Sequence, residues 1–305
     1  MKILVSGATG LVGSALCPLL REAGWQVCRL TRSPRSAEDV GWRPEAGELD
    51  RTALENVQAV VHLAGENVGG GRWNDKRKAA IYKSRVGGAR LISQSIAQLN
   101  AKPGVFISAS AIGYYGDRGD EVLDETSSPG EGFLADVCKA WEAATEPAAA
   151  VGTRVVNLRF GLVLSTAGGG LAQMLTPFKL GAGGRIGSGR QYVSWIAIDD
   201  VATAIMHALQ TNSLVGPVNC VAPNPVTNDE FTRALGAALK RPTLMNVPAP
   251  VLRLALGEMA DALLLSSTRA IPRKLQQSGY HFRYARLADA LKHVLSAGET
   301  VSEGK

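Results

Sequence analysis

Short runs of apolar and β-branched residues alternate with amphipathic stretches over the first two-thirds of the chain. Ile3-Leu4-Val5, Val27 to Thr31, Ala59 to Ala64, Val105 to Ser108, Val155 to Leu164 and Val218 to Val221 read as strands buried on both faces. Between them apolar residues recur at helical spacing. Leu16, Leu19, Leu20 and Ala23 follow the first run and are stopped by Gly24, and further helical patterns lie around 77–99, 134–150 and 199–209. Alternation of this kind predicts right-handed crossovers and an α/β fold built on a doubly wound, mostly parallel sheet.

The texture changes near Asn224. Pro223, Pro225, Pro242, Pro248 and Pro250 punctuate the chain and strands become scarce. Thr227-Asn228-Asp229-Glu230 reads as a helix start, and helices are predicted near 229–240, 250–265 and 285–296. The organisation read from this is a core over 1–223, a small, mostly helical C-terminal lobe over 224–297 that acts as a substrate lid, and a polar, disordered tail at 298–305. Two glycine-rich segments, 65–74 and 168–189, are predicted to be long loops, and loops of that length inside a compact domain are usually binding loops or lids.

Composition narrows the function classes. The 305 residues are 46% hydrophobic and 20% charged, with a net charge of +6, an ordinary globular balance. The basic residues are distributed, and neither Lys76-Arg77-Lys78 nor the Arg269 to Lys274 stretch has the interleaved aromatics of a nucleic-acid reader. No nucleic-acid partner is expected. Met1-Lys2 leads straight into the first strand without a signal-peptide run, and the apolar stretch Val251 to Leu265 is broken by Arg253, Glu258 and Asp261, so neither export nor a membrane is expected. Cys17, Cys28, Cys138 and Cys220 show no metal-binding spacing, so no metal is expected and a cytoplasmic location is. A monomer or a homodimer is compatible with all of this.

The sharpest motif is Gly7-Ala8-Thr9-Gly10-Leu11-Val12-Gly13, placed between the first strand and the first helix. A helix N-terminus offers free backbone N–H groups and a partial positive charge, which suits a pyrophosphate. Glycine is needed there for the tight turn, for close approach of the ligand and for helix–strand packing, which identifies the sheet as Rossmann-like. Gly7, Thr9, Gly10, Leu11, Val12 and Gly13 are therefore cofactor-binding candidates. The second strand ends Thr31-Arg32-Ser33 without the acid that would bind the adenosine ribose hydroxyls. An arginine there accommodates a 2′-phosphate, with Thr31 and Ser33 as hydroxyl donors, so NADP(H) is preferred over NAD(H).

Three further motifs carry a family resemblance: His62-Leu63-Ala64-Gly65, Ser108-Ala109-Ser110-Ala111-Ile112-Gly113-Tyr114-Tyr115-Gly116 and Arg159-Phe160-Gly161. With Trp195-Ile196-Ala197-Ile198-Asp199-Asp200-Val201 they make the chain resemble the extended short-chain dehydrogenase/reductases over nearly its whole length. The resemblance is to an atypical "epimerase family protein" branch, NAD(P)-dependent epimerase/dehydratase-like, ending in a short domain of uncharacterised function. It implies cofactor contacts from His62, Leu63, Ala64, Gly65, Glu66, Ser108, Ala109, Arg159, Phe160 and Gly161. It also implies substrate bound between core and C-terminal lobe, where Asn67, Trp73, Arg185 and Arg190 are the candidate contacts.

Enzymes of that family usually use a Tyr-x-x-x-Lys pair, whose spacing puts both side chains on one helix face. Here none of the six tyrosines has a lysine four positions on, and Leu134 and Cys138 stand where the pair falls. Ser110 with Tyr114 or Tyr115 is the replacement acid–base set. Three functions follow. The first is an NADP(H)-dependent oxidoreductase acting on a small carbonyl or alcohol substrate, sugar- or phosphate-bearing in one version. The second is a nucleotide-sugar epimerase/dehydratase-like isomerase. The third is a non-catalytic NADP(H) sensor or scaffold.

Overall fold

The computed structural model describes the backbone of residues 1–302 and the side chains of residues 1–296. Strand β1 (Lys2–Ser6) passes through the glycine turn into α1 (Leu11–Glu22), and β2 (Gln26–Thr31) returns parallel to β1. Two strands that the hydrophobic pattern does not announce follow. β3 (Asp39–Arg43) pairs parallel with β2, and β4 (Glu48–Leu49) closes that edge antiparallel to β3. β5 (Ala59–His62) then pairs with β1 on its other side.

α2 (Asp75–Tyr82), a π turn at Lys83–Gly87 and α3 (Gly88–Ala97) make one uninterrupted helical run where the 77–99 helix is predicted. β6 (Val105–Ala111), the short β7 (Val122–Leu123), α4 (Phe133–Ala143) and α5 (Glu146–Ala150) come next. The run Val155 to Leu164 is split into β8 (Arg154–Phe160) and β9 (Leu162–Leu164). Gly161 makes the break. A Cβ there would lie 2.5 Å from the Ser194 carbonyl oxygen and 2.8 Å from Val221 Cγ1, so the chain turns off the sheet where only a glycine fits.

The segment 168–189 is not the open loop that its glycines suggest. It contains α6 (Gly169–Lys179) and β10 (Gly184–Ile186). Leu171, Leu175 and Phe178, spaced four and three apart, form the buried face of α6 and outweigh the poor helix propensity of its glycines and Pro177. β11 (Tyr192–Val193), β12 (Trp195–Ala197), α7 (Ile198–Gln210) and β13 (Gly216–Cys220) complete the core. The main sheet has the order β13-β8-β6-β5-β1-β2-β3-β4. All its pairs are parallel except β3 with β4.

Strand alternation separates two apolar layers. Ile3, Val5, Val61, Ile107 and Val156 face Leu16 and Leu20 of α1 and Val201, Ile205 and Ala208 of α7. Leu4, Val60, Phe106 and Val155 face Ile92 and Ile96 of α3. A third cluster joins α6 to the C-terminal elements, with Trp195, Phe231, Leu235, Leu287 and Leu291 buried together. Trp195 is thus a core residue, its indole N–H donating to the Asn224 carbonyl at 3.1 Å.

After residue 224 come β14 (Val226–Thr227), α8 (Asn228–Leu239), β15 (Met245–Val247), α9 (Ala249–Leu256), α10 (Glu258–Ala260), β16 (Arg269–Ala270), α11 (Arg273–Gln277) and α12 (Leu287–Ser302). The Thr227–Glu230 capping box starts α8. The tail expected to be disordered from 298 is helical to Ser302, and 303–305 lie outside the described residues. No helix among the described residues is long and apolar enough to cross a membrane.

Candidate functional site

Parallel strands leave their carboxyl ends at one edge of the sheet, and the glycine turn sits there, between β1 and α1. Gly7 has φ +68°, and a Cβ on it would lie 2.8 Å from the backbone of Leu63 and Ala64. A Cβ on Gly13 would lie 2.2 Å from the Gly7 carbonyl oxygen. Gly10 caps α1 with no side-chain hydrogen bond, and no acid occupies the first turn. The N–H groups there are open to an anion, and Thr9 and Gly10 are exposed beside them. This is a cradle that fits a pyrophosphate.

At the end of β2, Asp39 organises the adjoining loop. Its carboxylate accepts N–H bonds from Arg35 and Ser36 at 2.7 and 3.0 Å and pairs with Arg29 at 2.8 Å. Those bonds hold its carboxyl below the usual range. Arg32 and Arg35 stay exposed, and neither guanidinium has a hydrogen-bond or ion-pair partner among the described residues. Arg35 was not singled out in the sequence, although its place three residues beyond Arg32 on the same short loop was the available signal. Thr31 Oγ1 accepts the Ser33 N–H at 3.3 Å.

His62 does not face the crevice. It is fully buried, with Nδ1 2.6 Å from Ser6 Oγ and its ring edge-on to Trp42. Ser6 Oγ already accepts N–H bonds from Leu63 and Ala64, so its proton goes to Nδ1 and the ring carries its own on Nε2. The expected cofactor contact becomes a brace under Leu63-Ala64. Burial, and then the nearby Arg85 charge, push its pKa down to about 4. The unfolded chain therefore takes up this proton first as pH falls from about 6.5 toward 4. His62 stabilises the fold fully above that window and loses up to roughly 3 kcal/mol across it. The difference in urea midpoint between wild type and His62→Asn, followed from pH 7 to 4, measures this; a pH-independent difference refutes it.

The predicted roof over the crevice is assembled from two sides. The site of a Gly69 Cβ lies 3.6 Å from the Gln173 side chain of α6, and the site of a Gly169 Cβ lies 3.1 Å from Leu11. Arg77 fastens the 65–74 loop by pairing with Glu66 at 3.1 Å and by donating to the Asn67 carbonyl. Asn67 turns inward on that loop, its Oδ1 accepting the Gly69 N–H at 2.9 Å. Trp73 is buried against Phe133, edge to face with centroids 5.3 Å apart, and Met259 belongs to the same cluster as Leu134 and Val68. Arg185 and Arg190 are elsewhere, sharing a cavity of about 480 Å³ with Ser188, Thr227 and Asp229. The four expected substrate residues thus divide into two places.

The expected acid–base set is also dispersed. Arg159 is 2% exposed, not a cofactor contact, and forms a two-pronged pair with Glu142 at 2.7 and 2.8 Å. Ser110 donates to the same Glu142 oxygen at 2.7 Å. Tyr115 is fully buried, its hydroxyl 2.7 Å from Asn219 Oδ1 and accepting an Arg159 N–H at 2.9 Å. Burial pushes the phenol up to about 12. These hydroxyls are committed to the network, which corrects their assignment as free acid–base groups. Tyr114 lies flat under Arg159, with the guanidinium 3.4 Å above its ring, and lines a cavity of about 740 Å³ with Lys139, Thr153 and Asn157. Ser108 and Ala109 are buried in β6, and Phe160 packs into the core. Cys138 is buried, and burial drives its thiol up to about 12, so it is no nucleophile. No group of three or more metal-ligating side chains occurs among the described residues.

The sequence profile of the NAD dependent epimerase/dehydratase family matches residues 3–220, and that of a domain of unknown function, DUF1731, matches residues 247–294. An epimerase family protein of Mycobacterium bovis is 45% identical over 290 residues, covering 95% of this chain and 96% of the relative. The crystal structure of human epimerase family protein SDR39U1 with NADPH superposes with a TM-score of 0.88 at 34% identity, covering 96% of this chain and 99% of that one. UDP-glucose 4-epimerase of Thermotoga maritima, at 19% identity and a TM-score of 0.78 over 99% of both chains, shares the fold.

Proposed function

The chain belongs to the NAD dependent epimerase/dehydratase family, and from that premise we propose that it is an NADP(H)-dependent oxidoreductase acting on a small carbonyl or alcohol substrate. The observation that carries this reading is the pair of unpartnered guanidiniums, Arg32 and Arg35, beside an uncapped helix N-terminus. Two free positive charges on one loop, whose acids Glu38 and Asp39 are already paired with Arg21 and Arg29, suit the 2′-phosphate that distinguishes NADP(H) from NAD(H). The human relative crystallised with NADPH supports the same choice.

Gly7, Gly10 and Gly13 would hold the pyrophosphate, and Arg32, Ser33 and Arg35 the adenosine phosphate. When bound, the cofactor supplies or accepts a hydride. The chain's own part is to orient the ligands and exclude water. The approach of the Gly69 backbone to the Gln173 side chain would roof the crevice, and Leu134 with Trp73 and Phe133 makes an apolar flank. A substrate long enough to reach the separate Arg185–Arg190 cavity would meet two guanidiniums there with its phosphate or carboxylate. The four cysteines are free and buried, which fits a reducing cytoplasm.

A non-catalytic NADP(H) sensor is the second reading, and one observation favours it. Ser110 and Tyr115 spend their hydroxyls on Glu142, Arg159 and Asn219. The same observation ranks an epimerase-like isomerase lower, because such an enzyme must move a proton at the reacting carbon twice.

Titration with NADPH and NADH tests the shared core of both readings. NADPH is expected to bind at least about tenfold more tightly. The double variant Arg32→Ala, Arg35→Ala should lose about 10- to 100-fold in NADPH affinity while NADH affinity holds. Equal affinities in the wild type overturn the assignment. Loss of NADPH absorbance over a panel of carbonyl compounds then separates oxidoreductase from sensor.

A further inference from the structure

Arg85 is a half-buried guanidinium at the sheet's carboxyl edge that has no acidic partner among the described residues. It sits in the π turn Lys83–Gly87, a helical irregularity that recurs at functional sites. From this turn two consecutive side chains reach the backbone of one residue, Glu66. Ser84 Oγ accepts the Glu66 N–H at 3.1 Å, and Arg85 Nη1 donates to the Glu66 carbonyl at 2.9 Å. The guanidinium lies 5.2 Å from the Trp141 ring and 3.5 Å from where a Gly65 Cβ would be.

The carboxylates within reach are spoken for. Glu66 pairs with Arg77, and Glu142 pairs with Arg159. The Cys138 thiol alongside is neutral. Burial presses the Arg85 pKa down, but a guanidinium stays charged at neutral pH. A half-buried guanidinium whose only bonds run from Nη1 to backbone carbonyls has donors to spare for an oxygen from outside the chain. Its remaining N–H donors are open to one: the buried, unpartnered side-chain atoms among the described residues include Arg77 Nε and His62 Nε2 but none of Arg85.

Sheet order says which oxygen. Arg32 lies at the end of β2, the glycine turn at the end of β1, and Gly65 beyond the end of β5, in the spatial order β2-β1-β5-β6. A dinucleotide whose adenine phosphate meets Arg32 and whose pyrophosphate crosses α1 continues over β5 toward β6. We propose that Arg85 holds the nicotinamide half of the cofactor through its ribose hydroxyls. This rests on the NADP(H) reading above.

Titration of wild type, Arg85→Met and Arg85→Lys with two ligands tests it: NADPH, and 2′-phospho-ADP, which has only the adenine side. Arg85→Met is expected to weaken NADPH about tenfold or more while 2′-phospho-ADP stays within about twofold. Arg85→Lys keeps the charge but not the fork, and should fall between. NADPH affinity unchanged in Arg85→Met overturns the proposal. So does an equal loss for both ligands, which marks a displaced loop. If Arg85→Met does not fold, Arg85→Lys carries the same test: a loss confined to NADPH supports the assignment, and an equal loss or none overturns it. A wild type that binds neither ligand overturns the cofactor reading and this proposal together; a wild type that binds both, with variants that do the same, overturns this proposal alone.

Discussion

Gly13→Ala is expected to reduce NADPH affinity by more than about 100-fold and to destabilise the fold by roughly 1–3 kcal/mol, the usual range for forcing an extra carbon into a packed site. The added Cβ would sit 2.2 Å from the Gly7 carbonyl oxygen and 2.6 Å from Ala8 Cα, both backbone atoms. Gly7 cannot retreat, because its far side abuts Leu63 and Ala64 and its carbonyl accepts the Gly10 N–H at 2.9 Å. The helix must therefore lift away from β1. That shift pulls the buried Leu16 and Leu20 off the sheet and moves the N-terminal N–H groups from where a pyrophosphate would lie. Gly24→Ala is the control. Unlike the helical Gly13 it stands at positive φ, +81°, and nothing lies within 4 Å of its Cβ position. It should cost about 1–2 kcal/mol of backbone strain and leave NADPH binding unchanged. Ligand titration and urea unfolding of both variants decide the matter; Gly13→Ala binding within threefold of wild type would sink the idea.

What the sequence disclosed and what it hid divide along physical lines. Buried parallel strands must be apolar on both faces, so Ile3-Leu4-Val5 and Val105 to Ser108 could be read without a partner in view. The glycine turn was legible because its requirements are local: a positive φ at Gly7 and a close packing at Gly13. α6 was not legible, because its buried face, Leu171, Leu175 and Phe178, gains its stability from Trp195 and Phe231, which are remote in sequence. The edge pair β3–β4 was missed for a similar reason, since its one buried anchor, Trp42, packs against distant Leu4 and Ile92.

The site's polar groups were harder still. The sequence names Ser110 and Tyr115 as acid–base candidates and Arg159 as a cofactor contact, but residue type says nothing about which way a side chain points. Glu142, 32 residues beyond Ser110, decides it by collecting Ser110 and Arg159 together. His62 illustrates the same limit. Its motif placed it at the strand's end, and alternation along β5 put its ring beneath the sheet, against Ser6 and Trp42. A residue's place in a motif fixes its backbone, and the face it presents must be read from its neighbours.

That network has the largest consequence for stability. Arg159→Met is expected to destabilise the protein by about 3 kcal/mol, because it leaves Glu142, a carboxylate only 13% exposed, without its cation. The loss extends past the pair. Arg159 donates to the Tyr115 hydroxyl, and Tyr115 meets Asn219, which in turn donates to the Ile271 carbonyl. Glu125 joins the same tie by accepting N–H bonds from Asn219 and Lys274 at 3.0 and 3.1 Å. The C-terminal segment is thereby bound to β13 through polar groups that have no water to fall back on. Glu142→Gln should cost a similar amount, since it strands the guanidinium instead. Replacing both residues with leucine should cost less than either single change, because no unpaired charge then remains. Urea unfolding of the three variants measures this, and single-variant losses below about 1 kcal/mol would show the pair to be superficial. NADPH titration of Arg159→Met adds the functional half of the argument. The pair lies in the β6–β8–α4 network, away from the glycine turn, so affinity should stay within about twofold. A large loss of affinity would instead return Arg159 to the cofactor site.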